Sequence, residues 1–162
     1  MMTLGAMSLM LTLILSINRS FAWSEQTMMK GKCGLTAVSL ASGIIEQASE
    51  MYYDQKSITA ADTSTSQLTA PASLGPESGE SYGSTTAPFN DFDDFNGLTL
   101  KDYNELPDTF YVSCTVVYVT ATTPNTTSTT ATWEKKLTVK VTSKMLVDTV
   151  KMSYIYSYWY FR

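Results

Sequence analysis

Histidine is absent from this 162-residue chain. Most general-base catalysis, nucleophile activation and zinc binding near neutral pH depend on histidine, so these activities are not expected here. Only two cysteines are present and they do not form a C-x-x-C pair, which leaves redox and nucleophilic thiol catalysis without support. We therefore predict that the protein is not an enzyme and that it holds no cofactor or metal ion.

Charged residues are also scarce, at 16% of the chain, which excludes a charge-rich coiled coil. The 44% hydrophobic content excludes wholesale disorder, and the length allows one domain or one domain with an appendage. Residues 57–109 carry nine acids and one base, whereas residues 110–162 carry two acids and six bases. The acidic middle can therefore face the basic end of the same or a neighbouring molecule; two solvated faces are the alternative. No nucleic-acid motif accompanies the bases, so a nucleic-acid partner is not expected.

The first 17 residues contain no charged side chain. This run is close to the minimum length of a membrane-spanning helix, and we assign residues 1–24 to an apolar helix segment. A cleaved signal peptide is the alternative, because Ser20-Phe21-Ala22 loosely resembles a cleavage site. Since no lysine or arginine precedes the run, we expect the segment to be retained.

An amphipathic helix is predicted for residues 25–56. Apolar or small residues recur there at steps of three and four: Cys33, Ala37, Leu40, Ala41, Ile44, Ala48, Met51 and Tyr52. No proline precedes Pro71, so one helix is expected to run from the apolar segment to about Asp54, a length of about 80 Å. Its first half is too long for a domain of this size to cover and needs lipid or other copies as partner. The alternative is a plain membrane anchor followed by a separate short helix.

Residues 57–108 are rich in serine, threonine, glycine and proline and predict a loop. Near its end, in residues 89–98, phenylalanines alternate with acids before an Asn96-Gly97 turn, and we expect the aromatic side chains to dock this segment onto the domain. Asp91, Asp93 and Asp94 are candidate calcium ligands, but their spacing does not match an EF-hand loop and the closing glutamate of that loop is missing.

Residues 109–162 predict an antiparallel sheet of about three or four strands. Runs rich in β-branched and aromatic residues cover residues 109–119, 132–142 and 146–161. In the second run, Trp133, Leu137, Val139 and Val141 are predicted to face one side. In the third run, one predicted face carries Leu146, Val150, Met152, Tyr154, Tyr156 and Tyr158, and the other carries Val147, Thr149, Ile155, Trp159 and Phe161. A sheet this small cannot bury its apolar face alone, so the amphipathic half of the helix is expected to cover it, which gives an α+β fold.

The two cysteines, Cys33 and Cys114, are both predicted to point into the interface between helix and sheet. A disulfide formed in an oxidising compartment and a pair of buried free thiols both fit this placement.

The threonine-rich connection of residues 120–131 predicts an exposed hairpin loop, and Asn125-Thr126-Thr127 within it matches the N-glycosylation sequon. In an exported protein, Asn125 and the hydroxyls of Thr126 and Thr127 are candidate glycosylation sites; an unmodified loop is the alternative.

The order of these features resembles the type IV pilin and type II secretion pseudopilin superfamily, in which a long N-terminal helix precedes a variable loop and an antiparallel sheet. Met1-Met2-Thr3-Leu4 is similar to the start of a mature pilin. The acidic segment of residues 91–97 and the strand of residues 133–141 are similar to stretches of minor pilins and pseudopilins. Two features depart from the family: Gly5 stands where a glutamate is usual, and the short basic leader is missing. If Met1 is the initiator, a simple anchor is favoured.

The resemblance implies a pilin-like, non-enzymatic subunit. Such a subunit waits in the inner membrane until assembly machinery extracts it into an extracellular helical filament of identical copies at the cell surface. Met1 would be the processed and methylated residue, and the filament core would contain Met1, Leu4, Met7, Leu9, Leu11, Leu13, Ile14, Ile17 and Phe21. Two alternatives stay open. One is a single-pass membrane-anchored envelope binding module that does not polymerise; the other is a tip or priming subunit of the same fold, which Gly5 favours.

Overall fold

The computed structural model describes residues 2–102 and 108–158. One long helix, α1, spans Met2–Ser49 and is followed by 3-10 helices at Gln55–Ile58, Thr65–Gln67, Pro71–Ser73 and Asp93–Phe95. Four strands follow among the described residues: β1 (Thr99–Asp102), β2 (Phe110–Val119), β3 (Glu134–Ser143) and β4 (Val150–Ser157). The fold is therefore α+β, with a long N-terminal helix and a four-stranded sheet, as the sequence predicts.

The sheet is an antiparallel meander in the order β1-β2-β3-β4. Its register places Cys114 opposite Val139 and Val116 opposite Leu137, so that apolar side chains from neighbouring strands share one face. The strand β1 lies inside the segment that the sequence assigned to a loop. It directly follows the predicted Asn96-Gly97 turn, where Gly97 has a φ of 79°, a left-handed conformation that favours glycine.

One face of the sheet is buried and the other is exposed to solvent. Leu137, Val139 and Val141 are buried as predicted, whereas Trp133 is half-buried. On β4, Tyr156 is buried and Ile155 is exposed, in agreement with the predicted faces. Trp159 and Phe161 lie outside the described residues.

The second half of α1 packs across β3 and β4 on the buried face. Five buried residues on this half follow steps of four, four, three and four: Cys33, Ala37, Ala41, Ile44 and Ala48. Four of the five are small, which lets the helix backbone approach the sheet closely. We call the part of the chain from residue 33 to residue 158 the head.

The helix ends at Ser49, five residues before the predicted end at Asp54. Asp54 instead caps the next 3-10 helix, because its side chain accepts the N–H of Lys56 while its own N–H donates to Ser57 Oγ. The chain therefore turns after Ser49, and this turn changes which tyrosine is buried. Tyr52, predicted to lie on the apolar face, is 57% exposed, and Tyr53 enters the core in its place.

The loop between α1 and β1 is anchored by aromatic side chains, as predicted for residues 89–98. Phe89, Phe92 and Phe95 are buried in the same core as the helix and the sheet. Phe89 and Phe95 meet edge to face with their ring centroids 5.3 Å apart, and Phe92 lies 5.1 Å from the ring of Tyr156. The loop is thus part of the head and does not act as a free linker.

Candidate functional site

The first half of α1 extends away from the head. Every side chain described between residues 7 and 28 is exposed, although most of these residues are apolar. We call residues 7–28 the apolar arm. Eleven large apolar side chains on it are between 50% and 75% exposed: Met7, Leu9, Met10, Leu11, Leu13, Ile14, Leu15, Ile17, Phe21, Trp23 and Met28. Among the side chains of α1 that the structure describes, Cys33 is the first buried one, and about 45 Å of helix precedes it.

The apolar side chains of the arm cover most of the circumference of the helix. Successive residues of an α-helix are rotated by about 100°, so the apolar residues 9–11 and 13–15 together span about 240° around the axis, and Ser8, Thr12, Ser16 and Arg19 fall in the remaining sector. An apolar surface this wide is stable when lipid or protein covers it from several directions, and a single docking face does not cover it.

The predicted filament-core residues are distributed along this arm. Met7, Leu9, Leu11, Leu13, Ile14, Ile17 and Phe21 are exposed on it; Leu4 lies within α1, and Met1 lies outside the described residues. The sequence-based set omits Met10, Leu15, Trp23 and Met28, which are exposed on the same arm. Met10 and Leu15 lie within the uncharged run of the first 17 residues, so the sequence alone could have identified these two.

A buried cluster of charges lies in the head just after the end of α1. The Nζ atom of Lys135, on β3, donates to Asp54 Oδ1 at 2.7 Å, to the carbonyl oxygen of Tyr53 at 2.7 Å and to Asp93 Oδ1. All three charged side chains are fully buried. Asp54 also accepts the backbone N–H of Thr69 at 3.1 Å. The cluster therefore joins the turn that follows α1, the loop at Thr69, the acidic segment and the sheet at one point.

Sequence reasoning did not identify this cluster. Lys135 shares its face of β3 with Leu137, an inward position that the alternation of the strand predicts, but its partners are more than 40 residues away in the chain. The cluster is one case in which the acidic middle of the chain meets its basic end within a single molecule, an arrangement that the charge distribution allowed.

The aspartates of residues 91–94 organise the backbone around them. Asp91 Oδ1 accepts the N–H groups of Asp93 at 2.8 Å and of Asp94 at 3.3 Å, and closes the turn that begins the 3-10 helix Asp93–Phe95. Burial, together with the neighbouring carboxylates of Asp93 and Asp94, raises the pKa of Asp91 to about 9. Burial also raises the pKa of Asp93, although Lys135 opposes the shift, and raises the pKa of Asp94. These three side chains are out of contact with solvent, and Asp93 is committed to Lys135.

The two cysteines lie where the sequence places them, in the core between helix and sheet. Cys33 and Cys114 are both buried and both are free thiols in this structure. Burial raises the pKa of Cys114 to about 11, which keeps this thiol protonated and unreactive near neutral pH.

The candidate glycosylation residues lie on the surface. Asn125, Thr126 and Thr127 are exposed in the loop that joins β2 to β3, so a sugar on any of them would project into solvent. Lys136 Nζ donates to the carbonyl oxygen of Pro124 at 2.8 Å and holds this loop against the outer face of the sheet.

Within residues 2–102 and 108–158, no helix combines the length and the apolar character that the crossing of a membrane requires. Comparison of the chain with protein-family models, with curated proteins and with solved structures found no match.

Proposed function

We propose that this chain is the structural subunit of a type IV pilus-like or pseudopilus-like extracellular filament, which assembles through the apolar arm. The observation that carries the proposal is the arm itself: eleven large apolar side chains, exposed around most of the circumference of a helix that continues without interruption into a folded head. Copies of the arm packed around one another would cover this wide apolar surface from several directions.

The energy of such packing is sufficient for assembly. Side chains exposed to this extent present on the order of 1,000 Å² of apolar surface, and burying it is worth up to about 25 kcal/mol at roughly 25 cal/mol per Å². The loss of translational and rotational freedom on association costs roughly 4 to 15 kcal/mol. Because the arm and the head occupy opposite ends of the subunit, contacts between staggered copies are head-to-tail and produce an open helical filament. Before assembly, the arm would be covered by the lipid of the inner membrane.

The proposal is tested by placing a charge in the arm. Leu13→Lys should abolish filaments, because a lysine in the packed core is buried without a partner. The matched control is Val147→Lys, since Val147 is 79% exposed on the head and lies far from the arm in the chain. Electron microscopy of the shear fraction from producing cells measures the filaments. Thermal unfolding of both variants should match the wild type, because neither side chain is buried in the head.

Normal filaments from the Leu13→Lys variant would show that the arm is not the polymer core. If the wild type stays monomeric in the membrane fraction, the chain is the membrane-anchored binding module. Intact-mass analysis of the same fraction adds an independent check, because the proposal expects a methyl group on the amine of Met1.

A further inference from the structure

A second group of carboxylates lies in the loop between α1 and β1, apart from Lys135. Glu77, Glu80 and Asp94 each place one carboxylate oxygen within 4.8 Å of those of the other two. Gly79, with a φ of 98°, forms the turn between the two glutamates, and the N–H of Glu80 donates to the carbonyl oxygen of Glu77 at 3.1 Å. Asp94 reaches the same point from the acidic segment, 14 residues further along the chain than Glu80.

Several oxygens in this group are buried and unpartnered. Asp94 is fully buried; its Oδ2 atom accepts the N–H groups of Asn90 at 2.8 Å and of Asp91 at 3.0 Å, whereas its Oδ1 atom has no hydrogen-bond partner among the described residues. The same holds for Glu77 Oε2 and Asn90 Oδ1. A buried acceptor without a partner is costly, so three of them together indicate that something else supplies the positive side of these contacts.

We propose that Glu77, Glu80 and Asp94 form a calcium site. The donors are all oxygens, which hard cations prefer. Calcium binds oxygens at 2.3 to 2.6 Å, so two ligands of one ion are at most about 5 Å apart, and the three carboxylates meet this limit as they stand. The side-chain amide of Asn90 already contacts Glu80 through Nδ2, and a half-turn of this amide would present Oδ1 as a fourth ligand.

The site would have a structural role. A bound ion joins the start of the loop, at Glu77 and Glu80, to the segment whose phenylalanines fill the core next to it. Glu77 and Glu80 are half-buried, so water can complete the coordination shell and the ion can exchange with the medium. Extracellular calcium modules of this kind bind with dissociation constants on the order of 0.1 to 1 mM.

The test is thermal unfolding of the full-length chain in detergent, first in EDTA and then with increasing calcium chloride. At calcium concentrations about a hundredfold above the dissociation constant, the wild type should unfold about 5 to 10 °C higher than in EDTA. The Glu77→Gln variant should lose this shift. In EDTA it should unfold no lower than the wild type, because it removes one of three crowded carboxylates. The matched control is Glu46→Gln, on an exposed position of α1, which should keep the full shift.

A second measurement reports binding without reference to stability. Tyr82 lines a cavity of about 340 Å³ together with Glu80 and Asp94, so ultraviolet excitation should produce sensitised emission from terbium bound there, and calcium should displace it. The proposal is overturned if calcium shifts neither unfolding nor terbium emission, because the carboxylates then share protons instead. It is also overturned if Glu77→Gln responds like the wild type, or if magnesium produces the same shift at the same concentration.

Discussion

Replacement of Lys135 by methionine should strongly destabilise the head. Methionine has a similar volume, so the change removes the charge while the packing is largely kept. It leaves the carboxylates of Asp54 and Asp93, both fully buried, without their shared cation, and leaves the carbonyl oxygen of Tyr53 without this donor. Removing one partner of a buried ion pair typically costs about 3 to 5 kcal/mol. For a chain of this length, that loss lowers the unfolding temperature by roughly 6 to 20 °C.

The loss of stability caused by Lys135→Met should depend on pH. The pKa of Asp93 is already raised by burial, so at acid pH this carboxyl takes up a proton and no longer needs Lys135. Urea unfolding at pH 8 and at pH 5 therefore measures the effect, and the difference between variant and wild type should be smaller at pH 5. Lys140→Met is the control, because Lys140 is exposed on the outer face of the same strand. It should change the free energy of unfolding by less than about 0.5 kcal/mol.

The reasoning is refuted if the free energy of unfolding of the Lys135→Met variant at pH 8 lies within about 1 kcal/mol of the wild-type value, because the typical cost of an uncompensated buried charge is several times larger. A neutralised cluster provides a further check. When Asp54→Asn and Asp93→Asn are added to Lys135→Met, much of the stability should return, because no unpaired charge then stays buried.

Two further predictions concern the head. Asp91→Asn should flatten the dependence of stability on pH: the folded pKa of Asp91, about 9, is raised above its ordinary value of 3.8, so its contribution to stability is present at acid pH and is lost as the pH rises towards 9. Urea unfolding from pH 5 to pH 9 measures this slope, and an unchanged slope in the variant would contradict the assignment. Ala41→Leu should destabilise the head by about 1 to 3 kcal/mol, because Ala41 is fully buried where the helix meets the sheet and a larger side chain overpacks this contact. A neutral result in chemical denaturation would mean that the contact is loose, and Ser42→Leu, on an exposed neighbouring position, is its control.

Local patterns predicted most of the regular structure. The steps of three and four between Cys33 and Ala48 correspond to the buried stripe of α1, and the alternation of residues 137–141 corresponds to the buried face of β3. Both patterns depend on the repeat of the backbone itself, so they can be recognised without knowledge of any distant partner. The exposed apolar arm was predicted from length, since a helix of about 80 Å is longer than a domain of this size can cover.

The errors occurred where distant residues decide the outcome. The strand β1 has only four residues and no clear alternation, and it exists because it pairs with residues 110–113 of β2. The helix was predicted to continue to Asp54. In the structure the side chain of Asp54 accepts hydrogen bonds from Lys135 and Thr69, and the chain turns after Ser49. Secondary-structure propensity depends on residues that are close together in the chain, so it does not predict these interactions.

The order of amino acids by itself determined that this protein has an apolar helix, an amphipathic continuation and a sheet, because hydrophobic periodicity is a local property of the chain. Only the tertiary structure decided which charges meet. Lys135 joins Asp54 and Asp93 across 81 and 42 residues, and Glu77 and Glu80 come together with Asp94. The physical reason is that electrostatic contacts depend on distance in space and on burial, and neither quantity is defined until the chain has folded.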